Sequence, residues 1–214
     1  LPAHGNKMAY IGSNYGTWMF RAVDLKAGEN YSISASAQDC STYYDFVLTF
    51  GLASNDDVNT VSKLSTKTVA KLAGWERVTS YFTVPNDGTY FVAIGAESGR
   101  NILLDSIVVK KEALIPPTVT FTSLDVTTAT FNITSDATAW DLYYSTKEFA
   151  PDTIAEEQLI ALTQKTYTFE KLTVKTKYYY ALRAKDDKGN VSAWSSVDSF
   201  TTACEAKVLP FTEG

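Results

Sequence analysis

The segment Lys177–Lys185 (KYYYALRAK) restricts the fold more than any other stretch of the chain. In a β-strand, alternate side chains lie on the same face. One face of this segment would carry only Tyr, Leu and Ala, whereas the other would carry Tyr179, Ala181, Arg183 and Lys185. The pattern therefore predicts a strand that buries Tyr178 and Tyr180 and leaves Tyr179 at the surface.

Residues 110–117 (KKEALIPP) mark the clearest boundary between two parts of the chain. Adjacent prolines fix their own φ angles and restrain the preceding residue, which is typical of a short stiff linker. A length of 214 residues suffices for two modest domains. We predict an all-β chain with a first domain at 1–112, a linker at 113–117, a second domain at 118–203 and a further linker at 204–214.

Short strand-like runs separated by turn residues are predicted on both sides of this boundary. In the second domain they cover 118–121, 128–134, 139–145, 166–169, 177–185 and 196–201. One or two helical turns are predicted over 152–162, with Asp152 as the N-terminal cap. In the first domain, strands are predicted at 45–52, 75–84, 88–96 and 101–109. A further strand is predicted within residues 25–37, with Tyr31, Ile33 and Ala35 facing the core.

The second half of the chain resembles a fibronectin type III domain over about residues 115–203. The resemblance is carried by Leu172, Thr176, Tyr178, Tyr180, Leu182, Ala184, Gly189, Trp194 and Phe200. It implies a seven-stranded sandwich in which the Tyr178 hydroxyl bonds to upstream backbone, the arrangement called a tyrosine corner. The tryptophan usual on the second strand is absent near Phe131, and we expect Trp140 to fill part of that volume.

Three segments of the first domain, at 16–25, 74–78 and 102–109, resemble jelly-roll modules of secreted Bacteroidetes proteins. These modules are the choice-of-anchor and cleaved-adhesin types, which are similar to MAM domains. The resemblance implies an N-terminal jelly roll in which Trp18 and Trp75 pack the core. It also implies a bacterial protein that is secreted or held at the cell surface.

The tail 202–214 resembles the cysteine-containing linkers that follow fibronectin-like domains in such proteins. This implies that the chain is part of a longer array and that neighbouring modules of the same chain are among its partners. The resemblance also implies that Cys204 pairs with a cysteine beyond Gly214, which leaves Cys40 as a buried thiol.

Charge and residue content disfavour several classes of function. The net charge of −5 and a pI of about 4.9 argue against a nucleic-acid partner. No apolar run approaches the roughly 20 residues that span a bilayer, so we expect no membrane insertion of this part of the chain. His4 is the single histidine, and no convergent nucleophile, base and acid is evident, so we predict that the chain is not an enzyme.

Asp105 interrupts the apolar run 102–109, where burial of a carboxylate without a partner would be costly. Resemblance to other jelly rolls implies that an acid at this position takes part in a structural calcium site or in an internal hydrogen-bond network. The metal alternative would use Glu29, Asn30 or Asp39 as further ligands. The other alternative is a hydrogen-bonded acid without metal or any other cofactor.

Tyr43 and Tyr44 are adjacent tyrosines among polar residues, so in an extended segment one ring must face outward. Tyr15 lies in a second loop of similar composition. Exposed rings beside small polar groups suit sugar binding, and these three tyrosines are the predicted ligand site. We expect a non-catalytic binding and adhesion module for a glycan or a host surface protein. The alternatives are a structural spacer or an accessory region of a secreted glycoside hydrolase or protease.

The calcium alternative predicts that chelation destabilises the first domain and leaves the second unchanged. A ligand that binds only the folded state stabilises it, so removal of calcium by EDTA should lower the first of two melting transitions. Differential scanning calorimetry with and without EDTA, together with elemental analysis, measures this. If EDTA leaves the scan unchanged and the protein contains no metal, the calcium alternative is wrong and Asp105 is a hydrogen-bonded acid without metal.

Overall fold

The computed structural model describes residues 8–11, 17–39, 46–69, 74–98 and 102–205. These residues form antiparallel strands and short 3₁₀ turns, so the prediction of an all-β chain built from sandwiches is confirmed. The chain divides into two compact units, Leu1–Glu112 and Ala113–Gly214, called unit 1 and unit 2 below.

Unit 1 is a sandwich of two four-stranded sheets, with orders β1-β8-β3-β6 and β2-β7-β4-β5. This is the strand order of an eight-stranded jelly roll. Its strands are β1 Ala9–Ile11, β2 Trp18–Leu25, β3 Asn30–Asp39, β4 Phe46–Ala53, β5 Ser62–Val69, β6 Glu76–Thr83, β7 Gly88–Ser98 and β8 Ile102–Glu112. A 3₁₀ turn, Val58–Thr60, precedes β5 and is capped by the Asp57 side chain.

Alternation along β3 determines which side chains enter the core of unit 1. Tyr31, Ile33 and Ala35 are buried between the sheets, as predicted. The prediction that Trp18 and Trp75 pack in this core is wrong, because both are half-buried and neither belongs to it. Met19, Val23 and Leu25 are the β2 residues that pack in the core, so Trp18 points to the opposite, outer face of its sheet.

Unit 2 has a three-stranded sheet of order β13-β10-β9 and a four-stranded sheet of order β12-β11-β14-β15. The seven strands are β9 Thr118–Leu124, β10 Ala129–Thr134, β11 Ala139–Ser145, β12 Ile160–Leu162, β13 Thr166–Phe169, β14 Lys177–Lys185 and β15 Asp198–Thr201. Two helical turns occur in the segment predicted to hold one or two, and both are single 3₁₀ turns, Pro151–Thr153 and Glu156–Gln158. The prediction of Asp152 as the N-terminal cap is wrong, because Ala150 holds that position, and residues 160–162 form β12 instead of helix. Pro151 occupies the start of the first turn, and extended backbone ends each of them.

Aromatic side chains dominate the core of unit 2. Tyr178 and Tyr180 are buried and Tyr179 is half-buried on the opposite face of β14, as the alternation predicts. Trp140 is 1% exposed and belongs to this core. The expectation that it fills core volume is therefore confirmed, although its indole nitrogen has no hydrogen-bond partner.

The Tyr178 hydroxyl accepts a hydrogen bond from the Thr173 backbone N–H at 2.9 Å, which is the predicted tyrosine corner. In Tyr178→Phe this N–H loses its partner, so we expect unit 2 to lose about 1 kcal/mol of unfolding free energy. Thermal melts of Tyr178→Phe and Tyr179→Phe provide a matched pair, because Tyr179 lies on the outer face. Equal melting temperatures for the two variants would contradict a structural role of the hydroxyl.

Candidate functional site

The predicted ligand residues Tyr15, Tyr43 and Tyr44 lie outside the described residues. The strands that follow them are described, however. β2 and β4 each pair antiparallel with β7, so both run in the same direction and begin at the same end of their sheet. The segments that contain the three tyrosines thus lead into strands that start at the same end of the sheet on either side of β7, at Trp18 and Phe46.

Trp18 lies at this end of the sheet with its ring laid over Gly95, its register partner on β7. A Cβ atom built on Gly95 would overlap Cδ2, Cε3 and Cε2 of the indole. Overlap with three ring atoms at once means that the ring presents its face to the sheet. Glycine at position 95 is what allows this close approach. The opposite face of the indole is turned away from the sheet.

Phe20 and Phe91 extend this aromatic surface along the sheet. Phe20 pairs with Ala93, and Phe91 pairs with Ala22, so both rings share the outer face with Trp18. All three rings are half-buried. Thr49, Ala93 and Gly95 form a buried floor of small residues between them. We call Trp18, Phe20 and Phe91 the aromatic face.

The same side of the sheet carries hydroxyl groups on β5, which is separated from β7 by β4 and lies about 14 Å from β2. Thr66 pairs with Thr49, and Thr68 pairs with Val47, so both threonines lie on the same side of the sheet as Trp18. Thr66 and Thr68 are exposed. A flat ring beside small polar groups can stack on the apolar face of a ligand while the hydroxyls bond to its polar edge.

Asp105 and Glu29, two of the predicted metal ligands, lie far apart in the structure. Asp105 pairs with Ser36, whereas Glu29 precedes Asn30 at the other end of β3 and forms an ion pair with Lys111 at 2.7 Å. About 20 Å of strand separates these positions. Asp39 pairs with Ile102, and its side chain lies outside the described residues. Over the described ranges, no three acidic, histidine or cysteine side chains form a group that could hold a metal ion.

Asp105 has hydrogen-bond donors of its own at a bulge in β8. Its Oδ1 accepts from the Ser106 N–H at 2.5 Å and from the Ser106 hydroxyl at 3.3 Å. Ser106 has a φ of 51°, and the register with β3 shifts at this point. Arg77 donates to the Ser106 carbonyl at 2.7 Å and to Ser34 Oγ at 2.6 Å, which ties the bulge to β3 and β6. These bonds stabilise the carboxylate without requiring a metal.

At the other end of the same sheet, Tyr81 and Glu112 form a second polar cluster. Burial raises the pKa of Tyr81, and the negative charge of Glu112 raises that pKa further. Glu112 in turn accepts a hydrogen bond from the Ser32 hydroxyl at 2.7 Å. Because these groups bond mainly to one another, this face suits structural cohesion better than ligand capture.

Sequence reasoning missed the aromatic face because it placed Trp18 in the core. The available signal was the alternation of Trp18, Met19 and Phe20, which puts the two aromatic rings on one face. Alternation alone does not tell which face is inside. The deciding fact is the contact with Gly95, which is distant in sequence.

The comparisons with known proteins indicate similarity of fold. Residues 136–205 match the family model of the Rha78A-like N-terminal immunoglobulin domain. A human fibronectin type III domain is 19% identical, with a TM-score of 0.35, over 42% of this chain and 86% of its own. A structure described as "CBM4 structure and function" is 21% identical, with a TM-score of 0.38, over 49% of this chain and 71% of its own.

A β-1,2-glucanase from Parabacteroides distasonis is 15% identical, with a TM-score of 0.33, and the match covers 89% of this chain but 31% of the glucanase. No curated protein gives a significant match. With its seven strands and its tyrosine corner, unit 2 is an immunoglobulin-like sandwich of the fibronectin type III kind.

Gly95→Ala should displace the Trp18 ring, because the new methyl group would occupy the space of the indole. Overpacking of this kind typically costs about 1–3 kcal/mol of unfolding free energy. Gly74→Ala is the control, since a Cβ there meets nothing within 4 Å. Urea unfolding followed by tryptophan fluorescence compares the two variants. If Gly95→Ala unfolds like the parent with an unshifted emission maximum, the face-on packing of Trp18 is wrong.

Proposed function

We propose that the chain is a non-catalytic binding module that recognises a glycan through the aromatic face of unit 1. The observation that carries this proposal is the Trp18 ring, which lies flat on Gly95 and turns its other face away from the sheet. Pyranose rings present apolar C–H groups on their faces and hydroxyls around their edges. The flat indole can stack on the face of one sugar ring, and Thr66 and Thr68, three strands away on the same side of the sheet, can bond to hydroxyls of another ring of an oligosaccharide.

The loop tyrosines belong to the same proposed site. Tyr15 precedes β2, and Tyr43 and Tyr44 precede β4. These two strands begin at the same end of the sheet, on either side of β7. We therefore propose that the three tyrosines add further rings at the Trp18 end of the aromatic face. A host surface protein is the other partner class that such rings suit.

Unit 2 presents unit 1 within a larger secreted or cell-surface protein in this proposal, and neighbouring modules of the same chain are its partners. No helix in the described ranges is long and apolar enough to cross a membrane. Each stacked ring would contribute on the order of 1 kcal/mol, so a single site binds weakly. Repetition of such units in one protein would raise avidity without any new contact.

Trp18→Ala should weaken glycan binding about fivefold, because loss of about 1 kcal/mol corresponds to a factor of about five. A glycan array identifies ligands, and titration calorimetry then compares the parent with Trp18→Ala, Tyr43→Ala and Tyr44→Ala. Tyr179→Ala is the control, because its ring is half-buried on the surface of unit 2.

Melting temperatures identify variants that lose binding only because they lose stability. If the Trp18→Ala protein is folded and binds the glycan as tightly as the parent, the aromatic face is not the binding site. If no glycan or extracellular-matrix protein binds the parent at high micromolar concentration, the structural spacer replaces the proposed function.

A further inference from the structure

The three rings of the aromatic face follow the direction of β2 and β7. Trp18 and Phe20 lie two residues apart on β2, and Phe91 on β7 pairs with Ala22, two residues further along. Two residues of a strand span about 7 Å, so one ring follows another at about this interval. Ala22 has a small, exposed side chain, which cannot cover the Phe91 ring. The stacking surface is therefore a line that runs along the strands.

A carboxylate and a hydroxyl lie at the end of this line that is remote from Trp18. Asp24 on β2 pairs with Thr89 on β7, two residues beyond the pair of Ala22 and Phe91. Alternation places both side chains on the outer face with the rings, and both are exposed. The Thr89 hydroxyl donates to Asp24 Oδ1 at 2.6 Å, which orients the carboxylate. A carboxylate has room for several hydrogen bonds, so Asp24 can also accept from a ligand.

An oligosaccharide stacked on Trp18 has two directions open to it on this side of the sheet. Across the strands, the row of paired residues is Gly95, Thr49 and Thr66, which carries no second ring. Along β2 and β7, the next outer positions carry two rings and then the carboxylate. Each stacked ring adds to the free energy of binding, so the direction along the strands gives the larger gain.

We propose that the bound glycan is an uncharged linear oligosaccharide that runs along β2 and β7, an inference that rests on the proposed function of unit 1. Its successive sugars stack on Trp18, Phe20 and Phe91. Hydroxyls of the next sugar donate to the Asp24 carboxylate and to the Thr89 oxygen. Hydrogen bonds to a charged acceptor are stronger than those between neutral groups, so Asp24 determines which sugar occupies this end.

Charge at the aromatic face favours an uncharged glycan over an acidic one. The outer positions 18, 20, 22 and 24 of β2 and their partners 89, 91, 93 and 95 of β7 include one charged residue, Asp24. A uronic acid or a sulfated sugar would place a negative charge against this carboxylate, with no cation at these positions. Like charges in contact disfavour a partner, so Asp24 excludes acidic glycans while it binds hydroxyls.

The first test is an array of linear oligosaccharides of one to six sugars, with neutral hexoses in one set and hexuronic acids or sulfated hexoses in the other. The parent should bind the neutral set, and the signal should rise with length up to about four sugars, one for each ring and one for Asp24. A preference for the acidic set, or equal binding of one sugar and of six, overturns the inference while glycan binding stands. Failure of the parent to bind any member of either set overturns the proposed function and the inference with it.

The second test is titration calorimetry with the neutral hexasaccharide that gives the strongest array signal. Asp24→Ala should weaken its binding about tenfold, because a hydrogen bond to a charged group is lost. Asp187→Ala is the control, since Asp187 is an exposed acid of unit 2. Thr66→Ala should cost less affinity than Asp24→Ala, because Thr66 lies on the path across the strands.

Asp24→Asn provides a readout that a purely structural role would not change. It removes the negative charge and keeps the shape, so binding of the acidic set should increase relative to the neutral set. Melting temperatures show whether each variant is folded. A larger loss for Thr66→Ala than for Asp24→Ala would place the chain across the strands, and an unchanged selectivity of Asp24→Asn would remove Asp24 from the site. Either result overturns the inference but leaves glycan binding through Trp18 intact.

Discussion

Each unit depends on a tyrosine hydroxyl that fixes the chain where it enters a central strand. Tyr31 accepts the Lys26 N–H at 2.9 Å, and Tyr178 accepts the Thr173 N–H at 2.9 Å. In both cases a buried leucine lies six residues before the tyrosine, at Leu25 and Leu172. The two large apolar side chains and the short loop between them thus set the direction of β3 and of β14. Strand pairing on both sides of β3 and β14 follows from that direction.

The loops before these two tyrosines share one backbone requirement, but different residues meet it. Each loop needs a positive φ three residues before the tyrosine, and the observed values are 71° at Gly28 and 51° at Lys175. Glycine adopts this region without steric cost, whereas lysine carries a strain of about 1 kcal/mol or more. Unit 2 tolerates that strain because Lys175 N–H bonds to the Ala203 carbonyl, and neighbouring Thr176 N–H bonds to Thr202 Oγ1. The sequence motif alone predicts the corner but not this compensation.

Strand alternation predicted the fold well where one face is plainly apolar, as in β14 and β3. The placement of Trp18 in the core came from the jelly-roll resemblance and is wrong. Alternation alone could not have corrected it, because β2 carries large apolar residues on both faces and alternation does not say which face is inside. The contact between Trp18 and Gly95 shows which face of β2 is the outer one. In the sequence alone, a glycine in a strand can also indicate a bulge or a bend. For Tyr15, Tyr43 and Tyr44, the polar composition of the neighbouring sequence predicts exposed rings. No local sequence pattern predicts which residues lie beside these rings. The parts that local pattern could not supply are contacts between residues far apart in sequence.

β2 contributes side chains both to the core of unit 1 and to its proposed binding surface. Trp18 and Phe20 point to the aromatic face, whereas Met19 and Val23 point toward the core. A shift of β2 would therefore alter the core and the aromatic face together. Phe91 lies on β7 and belongs to the aromatic face. A substitution at Phe91 therefore changes that face while β2 keeps all its side chains.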